Sequence, residues 1–564
     1  MGNTAITEPA KLFEQHKATL DDALAAIHGR HFYAPYPESP SPRVYGAEAA
    51  DQGKAAFESY LGGNFPLDLP GARGHVRTEQ SPYGIEMNVG YPRAEPQALV
   101  AAAEAALPAW RDAGIQARTG ICLEILHRLN QRSFELAHAV QHTSGQAFVM
   151  AFQAGGPEAQ SRGLEALAYG YDMMSRYAGT VRWEKPQRKG DALVMDKQFH
   201  AVGRGLALLI TCNTFPTWNA YPALFASLVT GNPVLVKPHP GAVLPLAITV
   251  AVAREVLAEA GFDPNTVLLA AENTDERIAA DLALDPAVRI VDFTGSTEFG
   301  NWLETHARQA FVNTEKAGVN GVVVDSTDNY GGMLDNLAFS LSLYSGQMCT
   351  TPQNIFVPRG GVQTEEGHRS AAQVRTDLAA AVDRLLGDDQ RATGVLGAIA
   401  NDGVTRRIEA ASALGQPVRA ATPITHPEFP QARVSSPVMV GLAAESSDAY
   451  RTEHFGPISF VVETEDTAHS LRLLDETVRN RGALTAAVYS TDEDTLDAAE
   501  RTAHSVGVNI SANLTGQVFV NQSAAFSDYH GTGANAAATA SLTDPAFVAG
   551  RFSFVQSRRP NTTG

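Results

Sequence analysis

Eight short apolar runs, each set off from the next by helix-like sequence, constrain this chain more than any other feature. GLALLI (205–210), PVLVK (233–237), TVLLAA (266–271) and RIVDFTG (289–295) form one series; NGVVVD (320–325), QNIFVP (353–358), FVVET (460–464) and LTAAVYS (484–490) form a second. Runs that are apolar at nearly every residue belong to strands buried on both faces, and parallel sheets covered by helices bury both faces. The pattern predicts an α/β protein of two lobes. From Pro96 to Gln146, apolar residues at three and four spacing, broken at Gly114 and Gly120, predict two or three helices.

Other segments fall outside this alternation. RWEKPQRKGDALVMDKQFHAVG (182–203) reads as a hairpin around a Lys-Gly turn, and the tail from Val506 holds the strand-like runs VGVNIS, GQVFVN and RFSFVQ. Hairpin and tail are expected to pair into a projecting arm. Residues 1–75, with the Pro-rich APYPESPSPRVYG at 34–46, read as an irregular extension wrapped on the surface.

With 43 Lys+Arg against 61 Asp+Glu, the net charge of −18 opposes attraction to nucleic acid or an anionic membrane, and neither is an expected partner. No run reaches the roughly 18 unbroken apolar residues of a membrane helix. Cys122, Cys212 and Cys349 are the only cysteines and make no disulfide framework. The first residues lack an apolar run of signal-peptide length, so a cytoplasmic location is expected.

Several polar segments carry chemistry. Gly295 and Gly300 bracket Ser296-Thr-Glu298 between a strand and a helix start, a turn whose free N–H groups suit a phosphate and equally an ordinary N-cap. HGTGAN (530–535) is a weaker version of the same signal. Cys349 lies in YSGQMCTTPQNIFV, a polar segment ahead of a strand, whereas Cys122 sits in a helical run and Cys212 ends the strand-like run LLITC, both better read as packing. Glu315 and Glu453 adjoin apolar sequence, where a carboxylate has a raised pKa or simply pairs with a cation.

Taken in order, six of these segments resemble the aldehyde dehydrogenase superfamily over most of residues 78–560. They are Asn213-Thr-Phe-Pro216, Lys237-Pro238, Gly295-Ser-Thr-Glu-Phe-Gly300, Glu315-Lys-Ala-Gly318, Gly346-Gln-Met-Cys349 and Glu453-His-Phe-Gly-Pro457. Glu315 and Cys349 are 34 residues apart, similar to the family's spacing of base and nucleophile. TCNTFPTWNAYP, KPHP and FSDYHGTG are similar to the PaaN-type branch of phenylacetate degradation.

The resemblance implies a Rossmann-like cofactor-binding lobe (76–181 and 204–313), an α/β catalytic lobe (314–505) and a β-arm for oligomerisation (182–203 and 506–564). It implies oxidation of a small aldehyde, without a metal, through a thiohemiacetal on Cys349, with Glu315 as the base that hydrolyses the thioester. Asn213, with Asn219 as the alternative, would donate to the oxyanion. Lys237, His239, Gly295, Ser296, Glu453 and Phe455 would hold the cofactor. Pro240 stands where NAD-preferring members often carry a glutamate, so NADP is favoured over NAD: Lys237 would meet the 2′-phosphate, joined by His239 below about pH 6.5. Transfer of the thioester to CoA and a catalytically silent role are the competing readings. A homodimer or homotetramer is expected, acting on a CoA-linked semialdehyde supplied by a separate ring-hydrolase enzyme.

Overall fold

The computed structural model describes residues 8–316 and 318–561. Each series of apolar runs builds its own sheet. In the first lobe the strands Val267–Leu269, Val234–Lys237, Leu206–Ile210, Val288–Gly295 and Phe311–Lys316 lie in that order and are all parallel. The sheet starts at Leu206–Ile210 and is laid down first to one side and then to the other. Strand order therefore reverses between Leu206–Ile210 and Val288–Gly295, and a crevice opens at their carboxyl ends, the usual ligand position in such sheets.

The helix Ala220–Val229 is buried at every residue, as its continuous apolar sequence requires, and it packs on Ala159–Ser175 and Ile115–Gln131. The 96–146 region forms three helices, Pro96–Asp112, Ile115–Gln131 and Ser133–Ser144. Gly114 precedes the second with φ +85°. Gly120 does not break it: a Cβ there would lie 2.5 Å from the Phe13 nitrogen, so glycine lets another helix approach.

That other helix corrects the reading of residues 1–75 as irregular. Pro9–Gln15, Lys17–Gly29, Pro42–Tyr45 and Ala49–Glu58 are helical. Leu12, Phe13, Leu20 and Ile27 are buried in the core of the first lobe, and His16 bonds Glu124 at 2.7 Å. From residue 8 the extension is packed structure, and the proline run obscured its short periodic stretches; residues 1–7 lie outside the described residues.

The second lobe is a seven-stranded sheet in the order Gln416–Arg419, Val438–Ala443, Ile458–Thr464, Pro352–Pro358, Asn320–Val324, Thr485–Tyr489 and Asn509–Ala512. Only the first pairing is antiparallel. Thr180–Lys185, Leu193–Gly203 and Phe552–Pro560 make a separate antiparallel sheet. Two expectations for the tail need correction. Asn509–Ala512 joins the second lobe beside Thr485–Tyr489, and GQVFVN forms no strand. Local sequence cannot distinguish a strand that completes a sheet edge from one that pairs with a hairpin, because both need the same backbone donors and acceptors.

Arg551, fully buried, fixes the tail to the first lobe. Its guanidinium bonds both carboxylate oxygens of Asp292 at 2.6 and 2.7 Å and Ser227 Oγ at 2.8 Å. Asp292 lies on the strand Val288–Gly295, so this buried fork connects the final strand to the central sheet. Replacing Arg551 by Met leaves that carboxylate without its cation. The expected outcome is a loss of about 3–5 kcal/mol of stability, measured by urea titration.

Candidate active site

Asn213, Lys237, His239, Gly295, Ser296, Glu315, Cys349, Glu453 and Phe455, far apart in sequence, all line one cavity of about 610 Å³ at the crevice of the first sheet. A second cavity, of about 650 Å³, meets it: Phe215, Asn219 and Cys349 belong to both walls. The two differ in charge. Lys237, Arg277, Lys316 and Arg407, with the carboxylates of Glu272, Glu315 and Glu453, line the first, whereas among the described residues the second has Glu38 and Glu158 and no Lys or Arg.

The turn before Cys349 explains its Gly-Gln sequence. Tyr344, Ser345 and Gly346 have φ of +52°, +49° and +62°, a left-handed backbone unfavourable for side-chain-bearing residues that surrounding bonds must hold. Ser345 Oγ donates to the Leu396 carbonyl at 3.1 Å, and Gln347 donates to the Ala398 carbonyl at 3.0 Å and accepts from Ala400 N–H at 2.8 Å. A Cβ at Gly346 would lie 2.5 Å from the Gly456 carbonyl oxygen, so the Gly-Gln-x-Cys and Glu-x-Phe-Gly-Pro segments meet here. Asn320, absent from the sequence reading, donates to the carbonyls of Cys349 (2.8 Å) and Thr351 (3.0 Å).

Around the thiol the structure gathers Glu315, from the end of a first-lobe strand, and His530, from HGTGAN. Donor atoms of Cys349, Glu315 and His530 lie within 4.8 Å of one another. His530 Nε2 is 3.2 Å from Glu315 Oε1 and 3.6 Å from Cys349 Sγ. Burial, and then the Glu315 carboxylate, push the Cys349 thiol well above its ordinary pKa. Burial alone would raise Glu315 too, but the charge and hydrogen bond of His530, with Cys349 and Asn219, hold it below its usual value. The phosphate reading of HGTGAN thus overlooked its histidine; a histidine in a Gly-containing polar loop was the available signal.

The two candidate asparagines separate. Asn213 Nδ2 donates to the Thr143 carbonyl at 3.2 Å, holding the loop, whereas Asn219 Nδ2 donates to Glu315 Oε1 at 3.0 Å. The structure brings Asn219 beside the Glu315 carboxylate and commits the Asn213 amide to backbone. Cys122 is buried in its helix, and Cys212 donates to Asn219 Oδ1 at 3.7 Å.

Further along the first cavity, Lys237 is buried and paired with Glu272, which also bonds Arg277 at 3.2 Å and Ile278 N–H at 2.9 Å. Lys237 is therefore not the free cation that the sequence suggested. His239 needs a second correction: burial, followed by the charges of Lys237 and Arg277, lowers its pKa to about 4, so it does not become a cation just below pH 6.5. Ser296 caps the helix Thr297–His306 by accepting Phe299 N–H at 3.4 Å. Arg407 Nε donates to the Phe455 carbonyl at 2.8 Å. The buried Thr211 Oγ1 has no hydrogen-bond partner among the described residues and belongs to this wall. A charged cluster at Lys237, a helix start at Ser296, an unpaired hydroxyl and a carboxylate at Glu453 form a donor and acceptor set that fits a dinucleotide.

Burial pushes Glu453 up to about 7, with Arg407 offsetting part of that rise. Between its unfolded value of about 4.5 and 7, the native carboxyl holds more proton than the unfolded one, so its contribution to stability falls as pH rises through that window. Glu453→Gln cannot titrate. Its melting temperature relative to wild type should climb across the window and level off above it, as read by calorimetry at a series of pH values.

The comparisons with known proteins agree with this geometry. The pattern described as "Aldehyde dehydrogenase family" matches residues 90–538. A solved NAD-dependent aldehyde dehydrogenase from Burkholderia multivorans is 55% identical, with a TM-score of 0.96, over 97% of this chain and 98% of that one. A 1-pyrroline-5-carboxylate dehydrogenase from Bacillus thuringiensis is 23% identical over 496 residues, 83% of this chain and 89% of its own. A Thermus 1-pyrroline-5-carboxylate dehydrogenase solved with bound NAD shares the fold, at 19% identity and a TM-score of 0.72, covering 94% of this chain and 99% of that one. With the family pattern spanning both lobes and the cavity between them, this chain belongs to the aldehyde dehydrogenase family.

Proposed function

We propose that the protein oxidises an apolar-bodied aldehyde to its carboxylic acid through a covalent adduct on Cys349, with Glu315 as the base. The observation that carries this reading is the placement of Cys349 where the two cavities meet, with Glu315 in the wall of one and His530 in the wall of the other. The thiol, protonated at rest, gives its proton to the adjoining carboxylate as sulfur attacks the aldehyde carbon. Asn219 Nδ2 retains a second hydrogen for the developing oxyanion and joins the Cys349 backbone N–H, a role that we assign to Asn219 in preference to Asn213. Nicotinamide dinucleotide, when bound, supplies the hydride acceptor. Of the residues lining the first cavity, Lys237 in its pair with Glu272, Gly295 and Ser296 would hold its phosphate-bearing part, Glu453 its ribose and Phe455 its ring. After releasing the thiol's proton to solvent, Glu315 takes a proton from the water that releases the acid.

The second cavity supports the substrate class. Phe215, Trp218 and Phe339 line it, and it contains no Lys or Arg to pair with an anion. A carboxylate-bearing substrate, which the names of the pyrroline-5-carboxylate relatives specify, would meet Glu38 and Glu158 instead. An aldehyde of phenylacetate breakdown suits the aromatic wall; any CoA portion would remain outside it. The hairpin sheet carries exposed Val181, Leu193, Phe554 and Val555, which supports the arm as an oligomer contact.

Two measurements test the chemistry. Cys349→Ala should abolish oxidation of aromatic and aliphatic aldehydes while retaining cofactor binding. Glu315→Gln should give a burst of about one reduced cofactor per site in rapid quench, followed by slow turnover; an unchanged steady rate removes Glu315 from the base role.

We also propose that NADP serves at least as well as NAD. Lys237 and Arg277 against the single Glu272 leave one excess positive charge, and the Arg277 side chain is 59% exposed. Arg277→Ala should raise KM for NADP about tenfold and leave NAD little changed. A preference of wild type for NAD above about tenfold in kcat/KM overturns the proposal.

A further inference from the structure

We propose that His530 is a positioning residue for the reaction, donating from Nε2 to Glu315 and holding that carboxylate ionised beside the Cys349 thiol. This rests on the reading of Cys349 and Glu315 given above. The same nitrogen lies 3.2 Å from Glu315 Oε1 and 3.6 Å from Cys349 Sγ, and Asn219 adds a second donor on Oε1 at 3.0 Å. The imidazole is held in place. Its ring meets Trp218 edge-on at 4.6 Å, and the Arg162 guanidinium lies over Trp218 at 5.3 Å. Asn509 bonds the carbonyls on either side of His530, those of Tyr529 at 3.2 Å and Gly531 at 3.3 Å.

The need for such a residue follows from burial, which favours the neutral carboxyl. Glu79 accepts from Tyr91, Val243 and Leu244, all neutral donors, and burial still pushes it up to about 7. Glu315 is as enclosed and yet is held below its ordinary value. What distinguishes it is an imidazole able to carry positive charge. The other ionisable groups around Glu315 are Cys349 from the second lobe and Cys212 from the loop after Leu206–Ile210. Lys316, next on the same strand, points its ammonium to Glu304 at 2.7 Å, and Arg162 is behind Trp218. In the activating step the Cys349 S–H bond breaks, an O–H bond forms on Glu315, and the sulfur lone pair becomes the nucleophile.

Alkylation of Cys349 by iodoacetamide, followed by mass spectrometry of its peptide from about pH 3.5 to 9, tests this without aldehyde or cofactor. The result is therefore separate from whether the enzyme oxidises a given aldehyde. His530→Ala should raise the acid limb by about one pH unit or more, a tenfold loss of rate on that limb. His530→Gln fills the same space and supplies a neutral donor, so it should fold as wild type and still show a raised limb. In a Glu315→Gln background, His530→Ala should change the rate less than about twofold, since the group it acts through is gone. An unmoved limb in His530→Gln, or a full shift persisting in the Glu315→Gln background, overturns the proposal.

Discussion

The outer strand of the first sheet, Phe311–Lys316, must satisfy backbone donors and acceptors on an edge that no further strand covers. Residues of the C-terminal segment meet that demand. Lys316 N–H donates to the Ala537 carbonyl at 2.6 Å, Thr539 N–H to the Thr314 carbonyl at 2.9 Å, and Thr314 N–H to Thr539 Oγ1 at 2.8 Å. Covering the edge carries the preceding loop over Glu315 and places His530 against it. One backbone requirement thus brings together a strand end of the first lobe, the cysteine loop of the second and a residue from the chain's last fifty.

Division of charge between the cavities follows from the same arrangement. The crevice of the parallel sheet takes its polar and charged groups from strand ends and the loops after them, Lys237, Glu272 and Ser296 among them. The adjoining cavity is lined instead by helix and loop residues, Met150, Trp218 and Phe339, and by Phe32 and Glu38 of the N-terminal extension. On the proposed reading, a polar dinucleotide and an apolar aldehyde body would find different surroundings on each side of one sulfur. Glu38 also gives the extension a place beside the reaction chamber, which its attachment through Phe13 at Gly120 and His16 at Glu124 makes structurally firm.

The cysteine turn shows how much support a reactive geometry takes. Tyr344 and Ser345 adopt left-handed backbone only because the Tyr344 hydroxyl on the Ser144 carbonyl, Ser345 on Leu396 and Gln347 on Ala398 and Ala400 fix the turn from three directions. Those partners lie in both lobes, so the position of Cys349 reports their relative placement.

By itself the sequence determined two α/β lobes and eight of their strands, because a run of apolar residues buried on two faces is a local pattern; it missed the strands Phe311–Lys316, Gln416–Arg419 and Val438–Ala443 and misplaced Asn509–Ala512. It marked Cys349, Glu315, Glu453 and Ser296 because their motifs stand in family order. It did not determine which asparagine stands beside Glu315, since Asn213 and Asn219 differ only in which way a short loop points them. Nor could it show that Glu272 occupies Lys237 or that burial keeps His239 neutral, because each depends on neighbours distant along the chain or on enclosure by the fold. His530 is the plainest case. It is 181 residues from Cys349 and 215 from Glu315, and only the closing of a sheet edge brings its ring to them.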